Sequence, residues 1–520
     1  MDAKELLSLY AAGERYFRDI CLMYVDLSNA NLEGANLSFA DFMNANLSGA
    51  NLSHANLVGS YLREANLTGA NLINTNLIDV DLRGCNLTGC DLRNVKLDCA
   101  KLDFANLSNA NLSGICLDHH SLRYVILTNA NLTKVSLAKA ILSDVSLDYA
   151  DLSECNLSSA RLFDTNLFEA NLKNANLSKA NLLFAKMEFA NLTGANLQGA
   201  DISCANLAHT KLSDSNLYLA DLEQANLYKS DLSRANLEKA TLSDSYLCCS
   251  DLKEAILSES DLLRANLEGA NLELANLKCA NLEDSNLERA NLELANLTKA
   301  DLSGANLTRA HFSNTILTGA NFSKTILDGV EPEALSYLIK DISDIYIKTT
   351  DQLDHIDNES ETGKSLILPF IKMLGYDIHN AQEVKSEFKA DFRNKGKGKA
   401  NAVDFAIQIN NEPLIIIETK HHRENLESYQ GQLAEYFAAS NSKGRTKIGI
   451  LTNGIIYKFF TDDNKENVMD DKPFFEFSFR NYSCEDIEKL LLFHRNFFDI
   501  TNFKNEELFY CFNFGKFGGH

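Results

Sequence analysis

The sequence is dominated by an uninterrupted five-residue repeat. Every fifth residue from Leu27 to Leu327 is Leu or a residue of similar size, which makes 61 consecutive units without a change of register. Two positions before each Leu stands a small residue, most often Ala, as at Ala30 and Ala35. A five-residue period would spiral the Leu side chains around an α-helix and would alternate them between the two faces of a strand. A solenoid remains, in which each unit forms one side of a coil and directs Leu and the small residue inwards.

Most units also carry Asn or Asp directly before the Leu, as in Ala30-Asn31-Leu32 and Ala35-Asn36-Leu37. These words resemble those of the pentapeptide-repeat family, and the resemblance covers residues 25–329. It implies an all-β, right-handed quadrilateral β-helix with four units in each coil, so that the repeat would form about fifteen coils. The small residue is then explained by the narrow coil, which leaves no room for a larger side chain at that point.

The remaining sequence divides into three segments. Residues 1–24 have the pattern of an amphipathic helix, which we expect to cap the first coil because a terminal repeat needs a lid. The repeat ends at Asp328, and residues 330–360 predict a helical linker. Residues 361–520 alternate between helical and strand-like patterns and predict an α/β domain.

Within this α/β domain, the sequence predicts helices at 362–374 and 424–439 and strands at 384–391, 402–409, 414–419, 448–452 and 455–460. The last two strands flank Asn453-Gly454, a pair typical of a tight hairpin turn. The aromatic tail at 509–517 fits either an edge strand or disorder.

Composition excludes a membrane-spanning segment and favours a reducing environment. The sequence contains no run of about eighteen apolar residues, and its N-terminus lacks the basic start and apolar run of a signal peptide. Its 12 cysteines are scattered without CxxC pairs, and Cys85, Cys90 and Cys155 occupy the small inward position. We therefore expect a cytoplasmic protein with structural thiols and no membrane partner.

Three ionisable residues lie on two strand-like runs of the α/β domain. Asp404 stands in one apolar run, and Glu418 and Lys420 close the next. If the hairpin between them turns at 410–412, Asp404 lies opposite Glu418. Residues i and i+2 share one face of a strand, so Lys420 points the same way as Glu418. The pattern predicts two carboxylates and an ammonium together at one end of a hairpin.

This cluster suits Mg²⁺-dependent cleavage of phosphodiester bonds, because buried charges are tolerated only when they are paired or bound to a metal. Two carboxylates can hold a hard cation that keeps several waters. Such a cation polarises a phosphoryl oxygen and lowers the pKa of the attacking water, while the lysine orients that water or stabilises negative charge. The alternative is a purely structural salt bridge between Glu418 and Lys420, and spacing alone does not separate the two.

A longer set of sequence motifs in the same region resembles those of a known family. Asp404 followed by Glu418-Thr419-Lys420 is similar to the D…(D/E)xK signature of PD-(D/E)XK nucleases. The span 361–479 further resembles the N-terminal domain of type I restriction enzyme R subunits. The segments that carry this resemblance are Leu366–Phe370, Leu374–Asp377, Glu387–Asp391, Val403–Lys420, Leu451–Gly454 and the QxxxY motif formed by Gln432 and Tyr436.

The resemblance implies a role for each residue of the cluster. Asp404 and Glu418 are the expected ligands of Mg²⁺ or Mn²⁺, with the Thr419 carbonyl as a third ligand. Lys420 is the expected catalytic lysine.

Four further acidic, amide or phenolic residues are candidates for supporting roles. Gln432 and Tyr436 share one helical face and are expected to support the site or to contact DNA. Glu361 begins the first helix, where related nucleases place another acidic residue, although Glu359 is equally near. Glu387 fits the family's words, and a structural role explains it as well as a functional one.

A basic, glycine-rich loop precedes the Asp404 strand. Its residues Lys395, Lys397 and Lys399 alternate with glycine. Such a loop is suited to contact phosphate groups. It is equally suited to be a solvated hairpin tip, so both interpretations remain open.

Together these features predict a Mg²⁺-dependent PD-(D/E)XK-type endonuclease, a hydrolase, in a restriction-endonuclease-like domain at 361–520. DNA is the expected nucleic acid partner, and the resemblance suggests a role in defence against foreign DNA. The rod is expected to act as a recognition, assembly or regulatory surface, through a protein partner or through self-association.

A non-catalytic binding protein is the alternative, with an acidic rod that mimics DNA or scaffolds partners. The net charge is −22, of which residues 21–330 carry −13. Duplex DNA carries one charge per about 1.7 Å, or roughly forty over a rod of about 70 Å. The rod has only about a third of that charge density, which favours the nuclease over DNA mimicry.

Overall fold

The structure, a computed structural model, describes residues 1–330, 333–389, 402–409, 412–440, 446–462 and 468–495. The chain divides into two compact units, Met1–Asn291 and Leu292–His520. The first unit consists of an N-terminal helix and repeat coils. The second contains further repeat coils and an α/β region.

The repeats form β-helical coils in which each unit pairs with the unit one coil further along. Asn31 bridges Asn51 and Asn51 bridges Asn71, and the described bridges between repeats are all parallel. Four five-residue units therefore complete one coil, as the family resemblance implies. The N–H of the inward residue donates to the next coil, for example from Leu32 to the Asn51 carbonyl at 2.8 Å.

Each five-residue unit is a turn between two inward side chains. In the unit that starts at Leu27, the Ala30 N–H donates to the Leu27 carbonyl over 3.0 Å, and the intervening Asn29 has a φ of 55°. A positive φ in the third place is characteristic of a type II turn, which favours Gly or Asn. The repeat nevertheless places many residue types there, among them Glu154 and Lys179.

In many units, an Asn precedes the Leu and joins adjacent coils through its side chain. Asn176 Oδ1 accepts from the Ser178 N–H at 3.2 Å, and Asn176 Nδ2 donates to Asn156 Oδ1 at 3.3 Å. Asn196 Nδ2 donates in turn to Asn176 Oδ1 at 3.2 Å. These side-chain hydrogen bonds provide partners for polar groups, such as the Ser178 N–H, that the backbone pairing between coils does not use.

Cysteine replaces alanine at several inward positions. Cys85, Cys90 and Cys155 are buried, and burial raises the pKa of each thiol to about 12. Each of the ten cysteines within residues 1–330 is free. Inside the coil, cysteine therefore acts as a small apolar side chain.

The N-terminal helix is shorter than the segment 1–24 that the sequence predicts. Helix α1 spans Ala3–Ala11, and its residue Leu6 is fully buried. Phe17 and Leu22 already occupy the inward position, so the coils begin well before residue 25. The repeat is hard to recognise there because these two units lack the Ala-Asn/Asp pair before the inward residue.

In the second unit, a long helix and a loop cover the last repeat coils. Helix α2 spans Glu333–Gln352, within the predicted helical linker. Its Ser343 hydroxyl donates to the Ala320 carbonyl at 2.8 Å. The Tyr482 N–H, from the α/β region, donates to Thr318 Oγ1 at 2.9 Å.

The α/β region is built on a six-stranded mixed sheet in the order β1-β2-β3-β4-β5-β6. Strands β3 and β4 are parallel, and the other neighbouring pairs are antiparallel. The first five strands confirm the predicted ones, with ends that differ by at most two residues, whereas β6 was not predicted. The strands are β1 Val384–Lys389, β2 Ala402–Ile409, β3 Glu412–Thr419, β4 Ile448–Thr452, β5 Ile456–Phe460 and β6 Phe475–Ser478.

The predicted hairpin at Asn453-Gly454 joins β4 to β5. Gly454 has a φ of 80°, and a Cβ atom there would lie 2.6 Å from Leu366 Cδ1. The turn therefore requires glycine both for its backbone conformation and for the close approach of the first helical segment.

Helices cover the sheet and set its connectivity. Helix α3 (Glu359–Thr362), a π-helical turn (Gly363–Ile367) and helix α4 (Leu368–Met373) follow one another without a break. Helix α5 (Gln430–Ser440) connects β3 to β4 and so allows these strands to run parallel. Helix α6 spans Cys484–Leu491 and was not predicted.

Helix α5 packs on the sheet through buried apolar side chains. Leu433 and Phe437 of the helix share one cluster with Val403, Ile416 and Leu451 of β2, β3 and β4. This packing fixes α5 against the strands that carry the ionisable residues. None of the helices in the described part of the chain combines the length and apolar character that a membrane span requires.

The narrow coil predicts a strict upper limit on side-chain size at the small inward position. We expect Ala175→Phe to destabilise the surrounding coils by roughly 1–3 kcal/mol or more, because Ala175 is buried and its surroundings are closely packed. Ala175→Val is the matched control, since Val125 and Val135 occupy equivalent positions. Hydrogen exchange of the neighbouring coils measures the effect, and equal protection in both variants would contradict it.

Candidate active site

The β2–β3 hairpin brings the predicted ionisable residues together. Phe405 pairs with Ile417 and Ala406 with Ile416. Both pairs are symmetric about residue 411, which is the midpoint of the predicted turn at 410–412. Asp404 and Glu418 come next along the two strands. The hairpin prediction is confirmed, and its register places the two carboxylates at the same end of the sheet.

Asp404 is held by the residue that follows Glu418. Its Oδ2 accepts hydrogen bonds from both the backbone N–H and the hydroxyl of Thr419, each at 2.7 Å. Burial raises the pKa of Asp404, although these two hydrogen bonds and the charge of Lys420 oppose the rise. One oxygen of the carboxylate is thus fixed in place by Thr419.

The Lys420 ammonium lies between two carboxylates. Its Nζ donates to Glu418 Oε1 at 2.8 Å and to Glu359 Oε1 at 2.9 Å. Burial by itself would lower the pKa of Lys420, but the hydrogen bonds to Glu418 and Glu359 outweigh it and raise that pKa. The ammonium also lies 5.0 Å from the centre of the Tyr429 ring. Lys420 therefore remains protonated at neutral pH.

Helix α5 supplies the amide and phenol that the QxxxY motif predicts. Gln432 Nε2 donates to Glu418 Oε1 at 2.7 Å and lies 3.1 Å from the Tyr436 hydroxyl. The two residues are one helical turn apart and face the same way. Both predicted residues thus join the cluster, and Gln432 orients Glu418 directly.

A third carboxylate comes from Glu359 and not from Glu361. Asn358 caps helix α3 by accepting from the Glu361 N–H at 3.0 Å, so this helix begins at Glu359. Glu361 turns back and accepts from the Asp357 N–H at 2.9 Å. The spacing of Asn358 and Glu361, an N-cap followed three residues later by Glu, is the sequence signal that would have separated the two glutamates.

Glu359, Asp404 and Glu418 form a group that fits a cation. One carboxylate oxygen from each lies within 4.8 Å of the others. Glu418 is 3% exposed, and its Oε2 is buried without a hydrogen-bond partner. Burial and the nearby Asp404 raise the pKa of Glu418 to about 7. An unpartnered buried oxygen beside two further carboxylates is the arrangement that a hard metal ion satisfies.

The other predicted residues lie outside this group. Glu387 is exposed in β1 and has a φ of 49°, an uncommon conformation for a strand residue. The predicted phosphate-binding residues Lys395, Lys397 and Lys399 lie outside the described residues.

Family models match both halves of the chain. The first is described as pentapeptide repeats (8 copies), and its matches cover more than half of the chain, at residues 20–57, 45–84, 75–114, 126–162, 160–199, 200–238, 235–273, 275–314 and 295–331.

The chain belongs to the pentapeptide-repeat family.

A second family model matches the α/β region of this pentapeptide-repeat protein. It is described as the type I restriction enzyme R protein N terminus, and the match covers residues 390–468. The match lies inside the span 361–479 that carries the resemblance in the sequence, and it includes Asp404, Glu418, Lys420 and Gln432. No curated protein matches this chain.

Several solved pentapeptide-repeat structures are similar to the chain. HetL from the cyanobacterium Nostoc sp. strain PCC 7120 is 27% identical, with 62% of this chain and 98% of HetL covered and a TM-score of 0.17. A pentapeptide repeat protein from the thylakoid lumen of Arabidopsis thaliana is 26% identical, with 28% and 74% covered and a TM-score of 0.12. Full-length QnrB1, a plasmid-mediated fluoroquinolone resistance protein, is 12% identical, with 42% and 93% covered and a TM-score of 0.20.

The raised pKa of Glu418 predicts a pH dependence of stability in this pentapeptide-repeat protein. The folded state binds the proton more tightly than the unfolded state, so the contribution of Glu418 to stability is present below the ordinary glutamate pKa of 4.5 and is lost as the pH rises to about 7. The loss amounts to up to about 3 kcal/mol.

Hydrogen exchange of β3, corrected for intrinsic rates and measured without divalent metal at pH 5 and pH 8, tests this prediction. Relative to Glu418→Gln, the wild-type protein should lose protection as the pH rises. Glu435→Gln, an exposed position on α5, is the control. A wild-type-to-Glu418→Gln difference that stays constant with pH would contradict the prediction.

Proposed function

We propose that the chain is a metal-dependent nuclease of the PD-(D/E)XK type that cleaves DNA. The observation that carries this proposal is the convergence of Glu359, Asp404, Glu418 and Lys420 at one end of the β2–β3 hairpin. The match of the same segment to the type I restriction enzyme R protein N terminus supports it.

The donor set suits Mg²⁺ or Mn²⁺. Asp404 and Glu418 would be the principal ligands, with Glu359 and the Thr419 carbonyl as further oxygen donors. All are hard oxygen ligands, and neither histidine nor cysteine belongs to the group. Such an ion would polarise a phosphoryl oxygen and lower the pKa of an attacking water.

The chain's own residues prepare this site for phosphodiester cleavage. Lys420 keeps its proton, so it serves as a hydrogen-bond donor and as a positive charge that stabilises the anionic phosphorane-like transition state. Gln432 and Thr419 hold Glu418 and Asp404 in fixed orientations. Fixed donors of this kind need no rearrangement during the reaction, which is the main source of electrostatic catalysis.

The repeat coils would serve as a recognition, assembly or regulatory surface for the nuclease. A role in defence against foreign DNA agrees with the restriction-enzyme similarity of residues 390–468. The alternative role, a non-catalytic protein whose rod mimics DNA or scaffolds partners, is distinguished by the experiments below.

The first experiment is a cleavage assay of purified protein with plasmid, linear duplex and single-stranded DNA in Mg²⁺, Mn²⁺ or EDTA. We expect metal-dependent cleavage that Lys420→Ala reduces by at least about 100-fold, because charge stabilisation of the transition state is lost. Lys458→Ala is the matched control, since Lys458 forms its ion pair with Glu476 across β5 and β6 and not with a carboxylate of the cluster. Equal rates for both variants, or cleavage in EDTA, would refute the proposed site.

Titration calorimetry with Mn²⁺ separates metal binding from cleavage. Glu418→Gln should abolish binding, because it removes the charge of the buried ligand. Lys420→Ala should preserve or strengthen binding, since it removes a cation that competes for Glu418 and Glu359. Folded protein that binds Mn²⁺ but cleaves none of the substrates would favour the non-catalytic alternative.

A further inference from the structure

The first unit carries a continuous ladder of aromatic rings along one side of six consecutive coils. Neighbouring ring centroids lie 4.8–5.9 Å apart, and the ladder consists of Tyr149, Phe168, Phe189, His209, Tyr228 and Tyr246. Each ring belongs to one five-residue unit, here called a row, and β-bridges place the six rows side by side. We call these six rows together the aromatic face: 146–150, 166–170, 186–190, 206–210, 226–230 and 246–250.

Much of the aromatic face remains in contact with solvent. Tyr149, Phe189 and Tyr246 are 49%, 50% and 42% exposed, respectively. Stacking between neighbouring coils explains why the rings touch each other, but it leaves their outer surfaces uncovered. A contiguous exposed aromatic surface of this length marks a site of interaction.

Charges on the aromatic face argue against nucleic acid as its partner. The acidic residues Asp148, Glu169 and Glu188 outnumber the basic residues Lys186 and Lys229. Proteins that stack single-stranded nucleic acid on aromatic rings combine the rings with a positively charged groove. A partner of mixed charge with its own aromatic surface fits better.

We propose that the aromatic face binds the aromatic face of a second copy of this chain. The two rods run antiparallel, with a twofold axis in the plane of the interface between rows 186–190 and 206–210. This proposal concerns the repeat coils alone and does not depend on the nuclease proposal.

The sequence is self-complementary in this arrangement. The axis brings row 166–170 of one copy against row 226–230 of the other, with equal positions in the rows facing each other. Phe168 then faces Tyr228, and Glu169 faces Lys229. The central rows place Phe189 opposite His209 in the same way. Because the interface is isologous, each of these pairs occurs twice.

A parallel arrangement lacks this complementarity. A twofold axis that runs along the rods over the fourth position of the rows would place each row against its own copy, with Glu169 facing Glu169 and Lys229 facing Lys229. Like charges that face each other across an interface oppose association. The charge pattern therefore selects the antiparallel arrangement.

The size of the aromatic face predicts a weak dimer. Six rows at about 4.8 Å each extend over roughly 29 Å, on one side of a narrow coil. A surface of this length on one narrow side buries less area than a standard stable interface, which buries about 1,600 Å². We therefore expect a dissociation constant in the micromolar range.

Sedimentation equilibrium of the full chain between about 1 and 100 µM tests the proposal through a charge exchange. Lys229→Glu and Glu169→Lys should each raise the dissociation constant by at least about tenfold, because each introduces two like-charge contacts. The double variant Glu169→Lys/Lys229→Glu should restore it to within about threefold of wild type. Folding should be unaffected, since Glu154 and Lys179 occupy the same turn position in other units.

Lys179→Glu is the control, because Lys179 lies half a coil away from the aromatic face and should leave the dissociation constant unchanged. A protein that stays monomeric at about 100 µM overturns the proposal. So does a double variant that dimerises no better than the single ones. Binding of a labelled oligothymidylate by a monomeric wild-type protein, weakened in Phe189→Ala, would assign the aromatic face to single-stranded nucleic acid instead.

Discussion

The pairing of each repeat with the unit twenty residues further along is the interaction on which the rod depends. Its hydrogen bonds run between backbones, as from Leu32 to Asn51, and its interior needs only a large apolar and a small residue in each unit. No unit can bury its inward side chains alone, so stability arises from stacking. An open end would expose unpaired backbone groups, and α1 in the first unit and α2 with Tyr482 in the second cover coils near such ends.

The α/β region depends on a different constraint, the balance of buried charge. Three carboxylates within 4.8 Å of one another would repel strongly without a cation, and the Lys420 ammonium lies against two of them. Thr419 donates to Asp404 Oδ2, and Gln432 shares Glu418 Oε1 with Lys420, but Glu418 Oε2 stays without a partner. The hydrophobic packing of α5 on the sheet holds this costly arrangement in place.

The sequence predicts those features that repeat or that follow from strand geometry, and it fails where a single local contact decides. The coil, five strands and the Asp404–Glu418 register follow from periods of five and two. The first two units were missed because Phe17 and Leu22 lack the usual neighbours. Strand β6 was missed although Phe475 and Phe477 alternate with polar residues. The choice of Glu359 over Glu361 as the third carboxylate depends on one hydrogen bond, from the Glu361 N–H to Asn358. This bond sets where helix α3 begins.

The left-handed residue of each turn has a consequence for how such a rod changes over time. Phe39, Glu154, Lys179 and Leu219 all adopt this conformation, each with a φ near 60°. Their intrinsic preferences differ, yet the pairing of the coils holds every one of them in the same backbone geometry. Structure and display are therefore separate properties of this chain. Mutations can therefore replace outward side chains one row at a time without changing the backbone of the coil. A protein engineer can use the same property to introduce a chosen set of binding residues along one side.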